Sequence, residues 1–293
     1  MQLFVNDLTV IDCSYLCPQR GIVGESWIVD IVLDGNLNEQ SMVLDFGKVK
    51  KQVKAIIDDS VDHKLLVPGD HPYTKVTHNE DDSSYWVDFE RDNSRSIHLF
   101  CPSDSFAFID AEVVSIETVT DYVKAVIKQE LPVNVEGLKL TLRPEQIDGF
   151  YYHYTHGLKK HDGNCQRIAH GHRSKLQIFI DGIRQPALEK SWCDKWEDIY
   201  IGTEDDIATF NEMTLSKAAN GVDENTHIGY SYTSIQGLFE LVMPHSENYV
   251  IESDSTVECI AQYLASTIGQ EHAGKSVEVR AYEGVGKGAI AYA

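Results

Sequence analysis

The chain has 293 residues and a formal charge of −21, so it holds one large core or two domains of about 150 residues each. That acidity argues against nucleic acid as a partner, because a phosphate backbone needs a basic footprint. No apolar run nears the roughly 18 residues of a membrane span, and the opening MQLFVNDLTVIDCSYL lacks the basic and apolar regions of a secretory signal.

Cys13 and Cys17 come first, a lone CxxxC that reads as packing. With Cys101, Cys165, Cys193 and Cys259 they lack a framework spacing, which suits a reducing cytoplasm. An alternating strand follows over 27–33 and closes on Asp34-Gly35. Asp45-Phe46-Gly47 leads into an amphipathic helix over 48–59, with Val49, Val53, Ile56 and Ile57 on one face, and then Asp62-His63. A second helix over 118–131 carries Val119, Val123, Val126 and Ile127, and a strand over 138–142 follows it.

The order then begins again. A strand over 176–180 closes on Asp181-Gly182, a helix covers 257–268 and a strand covers 277–281. The helix starts match, Ser115-Ile-Glu117 against Thr256-Val-Glu258, with Ser255 or Thr256 as the second N-cap. Offsets of 139 (118 to 257) to 147 (34 to 181) indicate a tandem duplication. The expected domains are 1–145 and 146–293, joined where Pro144 breaks the strand pattern. The helix over 48–59 is expected in half one alone; at its place in half two, residues 229–242 alternate around Gly237 and read as a β-hairpin. The acidic stretch 192–226 reads as an insertion with a helix near 207–218.

The chemistry concentrates in residues 152–172. Positions two apart on a strand face the same way, so His170 and His172 of the His-Gly-His step converge. His156, ending an aromatic run, could add a third imidazole from a neighbouring strand. Three histidines leave one tetrahedral position open, the pattern of catalytic zinc. Cys165 is near enough to be a reactive thiol. His153 is odd-spaced from His156 and His161 lies in a turn, so both read as solvated histidines. Lys159, Lys160, Arg167, Arg173 and Lys175 surround this segment; they read either as a patch for an anionic substrate such as a triphosphate or as ordinary solvation.

These motifs resemble the 6-pyruvoyl-tetrahydropterin synthase and 6-carboxy-tetrahydropterin synthase family. The resemblance rests on His156, Cys165, His170-Gly171-His172, the MVLDFG–helix–DHKLL block and the Tyr282-Glu283-Gly284 end. One residue more than usual separates Cys165 from His170, which bears on the aim of the thiol. The resemblance implies α+β domains of the tunnelling fold, each an antiparallel sheet with helices on one face, closing into a barrel on homo-oligomerisation. It implies zinc on His156, His170 and His172, and Cys165 as the catalytic thiol. Asp62 and His63, or alternatively His245 of half two, form the second acid/base. Glu283 anchors the pterin, helped by Thr256 and Glu258. Half one holds Ser14, Val23 and Glu25 at the metal positions and cannot bind zinc. The two halves are therefore expected to build one composite site. The leading reaction is conversion of 7,8-dihydroneopterin triphosphate to 6-carboxy-tetrahydropterin, toward 7-deazapurines and queuosine. The 6-pyruvoyl route and a non-catalytic pterin- or partner-binding role are the alternatives.

Overall fold

The computed structural model describes residues 1–81, 83–92 and 95–293. Half one runs β1 (Gln2–Cys17), β2 (Gly21–Gly35), α1 (Phe46–Ser60), β3 (Leu65–Pro68), β4 (Thr74–His78), β5 (Ser84–Phe89), β6 (Ile97–Pro102), β7 (Phe106–Ile109), α2 (Ile116–Glu130) and β8 (Val135–Pro144). Half two runs β9 (Tyr151–His156), β10 (His170–Ile180), β11 (Ile183–Arg184), α3 (Pro186–Lys195), β12 (Ile199–Thr203), β13 (Ile207–Ala208), β14 (His227–Ser234), β15 (Gly237–Pro244), β16 (Asn248–Ile251), α4 (Val257–Glu271), β17 (Val277–Tyr282) and β18 (Gly288–Tyr292). Apart from β11 and β18, half two repeats half one element for element.

Local chemistry explains the helices. Asp45 caps α1 by accepting the Lys48 N–H at 3.0 Å, and Val49, Val53 and Ile57 bury one face. Ser115 and Thr118 form a capping box on α2. Thr256, not Ser255, caps α4.

Several expectations about half two are corrected. Its counterpart of α1 exists as α3, which the sequence concealed because the helix is only ten residues long, starts on proline and buries Trp192, Cys193 and the carboxylate of Glu189. The stretch 192–226 is therefore not an insertion throughout: it completes α3 and supplies β12, which pairs in parallel with β9 as β3 pairs with β1. The β14–β15 hairpin is real, but it matches β5–β6 rather than α1. Residues 207–218 are not helical; β13 pairs with β14 and short 3-10 turns follow. The sheets are consequently mixed rather than purely antiparallel.

Half one forms a sheet ordered β7-β3-β1-β2-β8, and half two one ordered β16-β12-β9-β10-β17-β18. Each packs one face on its own helices, giving two separate cores. The hairpins of both halves merge into a third sheet, β13-β14-β15-β6-β5-β4, joined where Leu241 pairs with Leu99. A third core beneath it draws side chains from both halves. The arrangement is a covalently linked pair of α+β units about a local two-fold axis.

That axis brings the β1–β2 hairpin onto the β9–β10 hairpin. Ser14 Oγ and Thr155 Oγ1 share a hydrogen bond of 2.7 Å. Gly24 and Gly171 approach so closely that a Cβ on Gly171 would lie 2.6 Å from Gly24 Cα, and one on Gly24 would strike the Tyr154 carbonyl. β2 is buried along nearly its whole length because it has helices on one side and half two on the other.

Candidate metal and acid/base site

Antiparallel pairing sets His156, at the end of β9, directly opposite His170 at the start of β10, with His172 two residues on. All three are buried, and one nitrogen from each falls within 4.8 Å of the others. His156 Nδ1 lies 2.8 Å from the Ser255 carbonyl, and His170 Nδ1 lies 3.0 Å from the Arg167 carbonyl. A carbonyl only accepts, so both Nδ1 atoms carry the proton and both Nε2 atoms present lone pairs. The Nε2 atoms of all three histidines are buried without a hydrogen-bond partner. Burial pushes the pKa values of His156 and His170 well down, which keeps the rings neutral. Three buried imidazoles with converging, unpartnered Nε2 atoms fit a metal ion and nothing apolar.

Cys165 lies on the 3-10 turn between β9 and β10 and is half-buried. The residue facing it comes from half one. The Cys165 sulfur is near enough to His63 to raise its pKa, and the His63 ring lies 5.4 Å from that of His170. Asp62 Oδ2 lies 2.7 Å from His63 Nδ1. Burial lowers the His63 pKa, but the Asp62 carboxylate and the Cys165 sulfur outweigh it and raise the value to about 10. The left-handed backbone of His63 (φ 54°) turns the ring inward, and its N–H is held by the Asp12 carbonyl at 2.7 Å.

Glu283, just past β17, places Oε1 4.0 Å from His172 Nε2. Lys287 Nζ reaches Glu283 Oε2 at 3.5 Å and Asp12 Oδ2 at 3.3 Å. Sequence reasoning missed both Asp12 and Lys287; the one local signal was the Glu-Gly-Val-Gly-Lys loop, which places Lys287 four residues after Glu283. Thr256 borders the site through Ser255, whereas Glu258 is exposed. His245 is not brought to the cluster. It opens the turn after β15, is exposed, and places Nε2 3.0 Å from the Glu224 carbonyl. Its expected role rested on matching Pro244-His245 with Asp62-His63, but the topology matches it with Ser103.

The counterpart of Asp62-His63 in half two is Glu197-Asp198. Asp198 has the same left-handed backbone as His63 (φ 57°) and also precedes a parallel strand. It accepts two bonds from Arg20, at 2.8 and 2.6 Å, and Arg20 also donates to the Tyr15 hydroxyl at 3.1 Å. Tyr15, not Ser14, stands where His156 does, because Tyr15 is the residue opposite Val23. Ser14 points to the other face, as a one-residue step requires. Tyr15, Val23 and Glu25 thus replace the three histidines. His153 is also corrected. It is buried rather than solvated, with Nδ1 2.7 Å from the Gly24 carbonyl and 3.8 Å from Glu25. His161 is exposed in its turn, as expected.

Carboxylates and carbonyls already hold most of the basic residues. Lys159 pairs with Asp206, Lys160 with Asp254 at 2.6 Å and Lys175 with Glu145 at 2.6 Å. Arg173 donates to the Glu145 carbonyl at 2.8 Å. No helix among the described residues is long and apolar enough to cross a membrane.

Fold and site together define a tandem tunnelling-fold protein with one three-histidine, metal-capable centre and one degenerate counterpart. The family model described as 6-pyruvoyl tetrahydropterin synthase matches the chain twice, over residues 17–147 and 147–293, and the chain belongs to that family. It is a pterin-converting lyase of the family. Among solved structures it is similar to the 6-pyruvoyl tetrahydropterin synthase of Plasmodium falciparum, with 17% identity, 48% of this chain and 90% of that one covered, and a TM-score of 0.39. The Plasmodium vivax protein matches at 20% identity, 50% and 93% coverage and a TM-score of 0.40. No curated protein matches the chain.

Proposed function

We propose that the chain is a zinc-dependent lyase of 7,8-dihydroneopterin triphosphate. The observation that carries this reading is the meeting of His63, from half one, with Cys165, from half two, beside three buried histidines whose Nε2 atoms are free. His156, His170 and His172 would hold the zinc, which would supply Lewis-acid polarisation of the substrate side-chain hydroxyls. Cys165 takes a proton from that side chain. His63, oriented by Asp62, relays a second proton. Glu283 accepts the pterin 2-amino and N3–H donors, a bidentate edge for a carboxylate. Thr256 and Glu258 shape the same end of the pocket.

The twofold match to the 6-pyruvoyl family favours elimination of triphosphate to 6-pyruvoyl-tetrahydropterin over the 6-carboxy route. We take the units as 1–145 and 146–293 and the setting as cytoplasmic. Further copies of the chain close the barrel through the outer strands β8 and β18, since an open edge invites pairing. Incubating the zinc-loaded chain with 7,8-dihydroneopterin triphosphate and identifying products by mass spectrometry tests the assignment. A pyruvoyl product with released triphosphate is expected. A carboxy product would move the chain to the other branch, and intact substrate would overturn this substrate altogether.

A further inference from the structure

Two of the three histidines have their Nδ1 atoms fixed by carbonyls of half two. The third does not. His172 Nδ1 makes no hydrogen bond of ordinary geometry, and the nearest carboxylate, Asp12 Oδ1 of half one, lies 3.2 Å away. Asp12 is almost wholly buried, and a buried carboxylate is tolerated only when charge and hydrogen bonds compensate it. Ser26 Oγ donates to Oδ1 at 2.5 Å, and Lys287 lies 3.3 Å from Oδ2. The main chain of Asp12 serves the acid/base pair: its N–H donates to Asp62 Oδ1 at 2.8 Å, and its carbonyl accepts the His63 N–H at 2.7 Å. One residue of β1 therefore contacts the third metal histidine, the lysine beside Glu283 and both members of the acid/base pair. The Gly24–Gly171 approach brings β1 close enough for this.

We propose that Asp12 is a positioning residue of the metal centre, supplied by the half that holds no metal ligand. It accepts the Nδ1 proton of His172 and so turns Nε2 toward the other two nitrogens. Through its main chain it sets Asp62 and His63 in register with the metal. A carboxylate behind a ligating histidine fixes tautomer and ring orientation and makes the nitrogen a better donor; losing such a partner typically lowers metal affinity on the order of 10–100-fold. Metal affinity is then a property of both halves, although every ligand lies in one.

The proposal rests on the metal reading of the three histidines. The test measures zinc affinity of the full-length chain by competition with a chromophoric chelator, and the visible bands of the cobalt-loaded chain. Asp12→Asn keeps the shape and removes the charge; Asp12→Ala removes the acceptor. The expected result is an affinity lowered on the order of 10–100-fold in both variants, with shifted cobalt bands and an unchanged melting temperature of the metal-free Asp12→Asn chain. His153→Gln, at the counterpart position, is expected to retain wild-type affinity. If Asp12→Ala fails to fold, Asp12→Asn decides. A wild-type chain that binds no metal overturns the metal reading and this proposal together. A wild-type chain that binds zinc, with Asp12 variants that bind it equally well, overturns this proposal alone.

Discussion

The imidazole rings of His63 and His170 lie 5.4 Å apart, although they belong to different halves of the chain. The Asp62–His63 pair and the three clustered histidines therefore come together only when both halves are present. His63→Gln is expected to lower turnover about 100-fold or more, the usual contribution of a positioned acid or base, while leaving zinc content unchanged. Cys165→Ala is expected to behave alike. Steady-state kinetics with metal analysis checks both, and undiminished turnover in either variant would remove that residue from the chemistry.

Removing the metal exposes the need of the three unpartnered Nε2 atoms. Chelation is expected to abolish turnover and lower the melting temperature, and zinc is expected to restore both. Free zinc at 100 times its dissociation constant adds about 2.7 kcal/mol of stability to a chain that binds it only when folded. A melting temperature indifferent to zinc would count against the assigned ligands.

Glu25 provides a pH test away from the metal. Burial raises its pKa to about 7, against the Ser26 N–H and the charges of Arg173 and Arg20, which pull it down. The folded chain thus holds this proton more tightly than the unfolded chain does. The stability Glu25 contributes is fully present below about 4.5, falls as pH rises to about 7, and is level beyond. Glu25→Gln is expected to match wild type near pH 4.5 and to exceed it by about 1–3 kcal/mol above pH 7. Denaturant titrations at pH 4.5, 6 and 8 measure the difference, and a gap that does not widen with pH would refute the assignment.

The Arg20–Asp198 pair occupies the place of a second acid/base site without its chemistry. Asp198→Asn is expected to reduce stability by about 1–2 kcal/mol, because the pair is bidentate but partly solvated. Turnover measured at a temperature where the variant stays folded is expected to be unchanged. A loss comparable to that of His63→Gln would show that both positions act in the reaction.

How far the sequence revealed this arrangement depended on where each partner lay. His156, His170 and His172 were legible because strand alternation alone points them to one side. Asp62-His63 was legible through resemblance, since nothing local says what His63 faces. Asp12 was not legible: in TVIDCSYL it reads as one more polar residue on an alternating strand, and its partners His172 and Lys287 lie in the other half. α3 was hidden by its shortness and by buried Glu189. In sequence Pro244-His245 reads as the counterpart of Asp62-His63, and only the strand order shows that Ser103 is its match. His153 reads as solvated in sequence because the surface covering it, Gly24 and Glu25, also comes from half one.

Asp12 and His153 occupy matching positions on β1 and β9, yet Asp12 faces His172 while His153 faces Glu25. In an assembly of identical domains one side chain would have to serve both places. Fusion frees the two positions to differ, a carboxylate at Asp12 and, at His153, an imidazole that burial keeps neutral, and the freedom is used once per chain. On the proposed function, one metal and one substrate would serve every two folds, and each half is open to a mutation whose effect is felt on one side of the axis only.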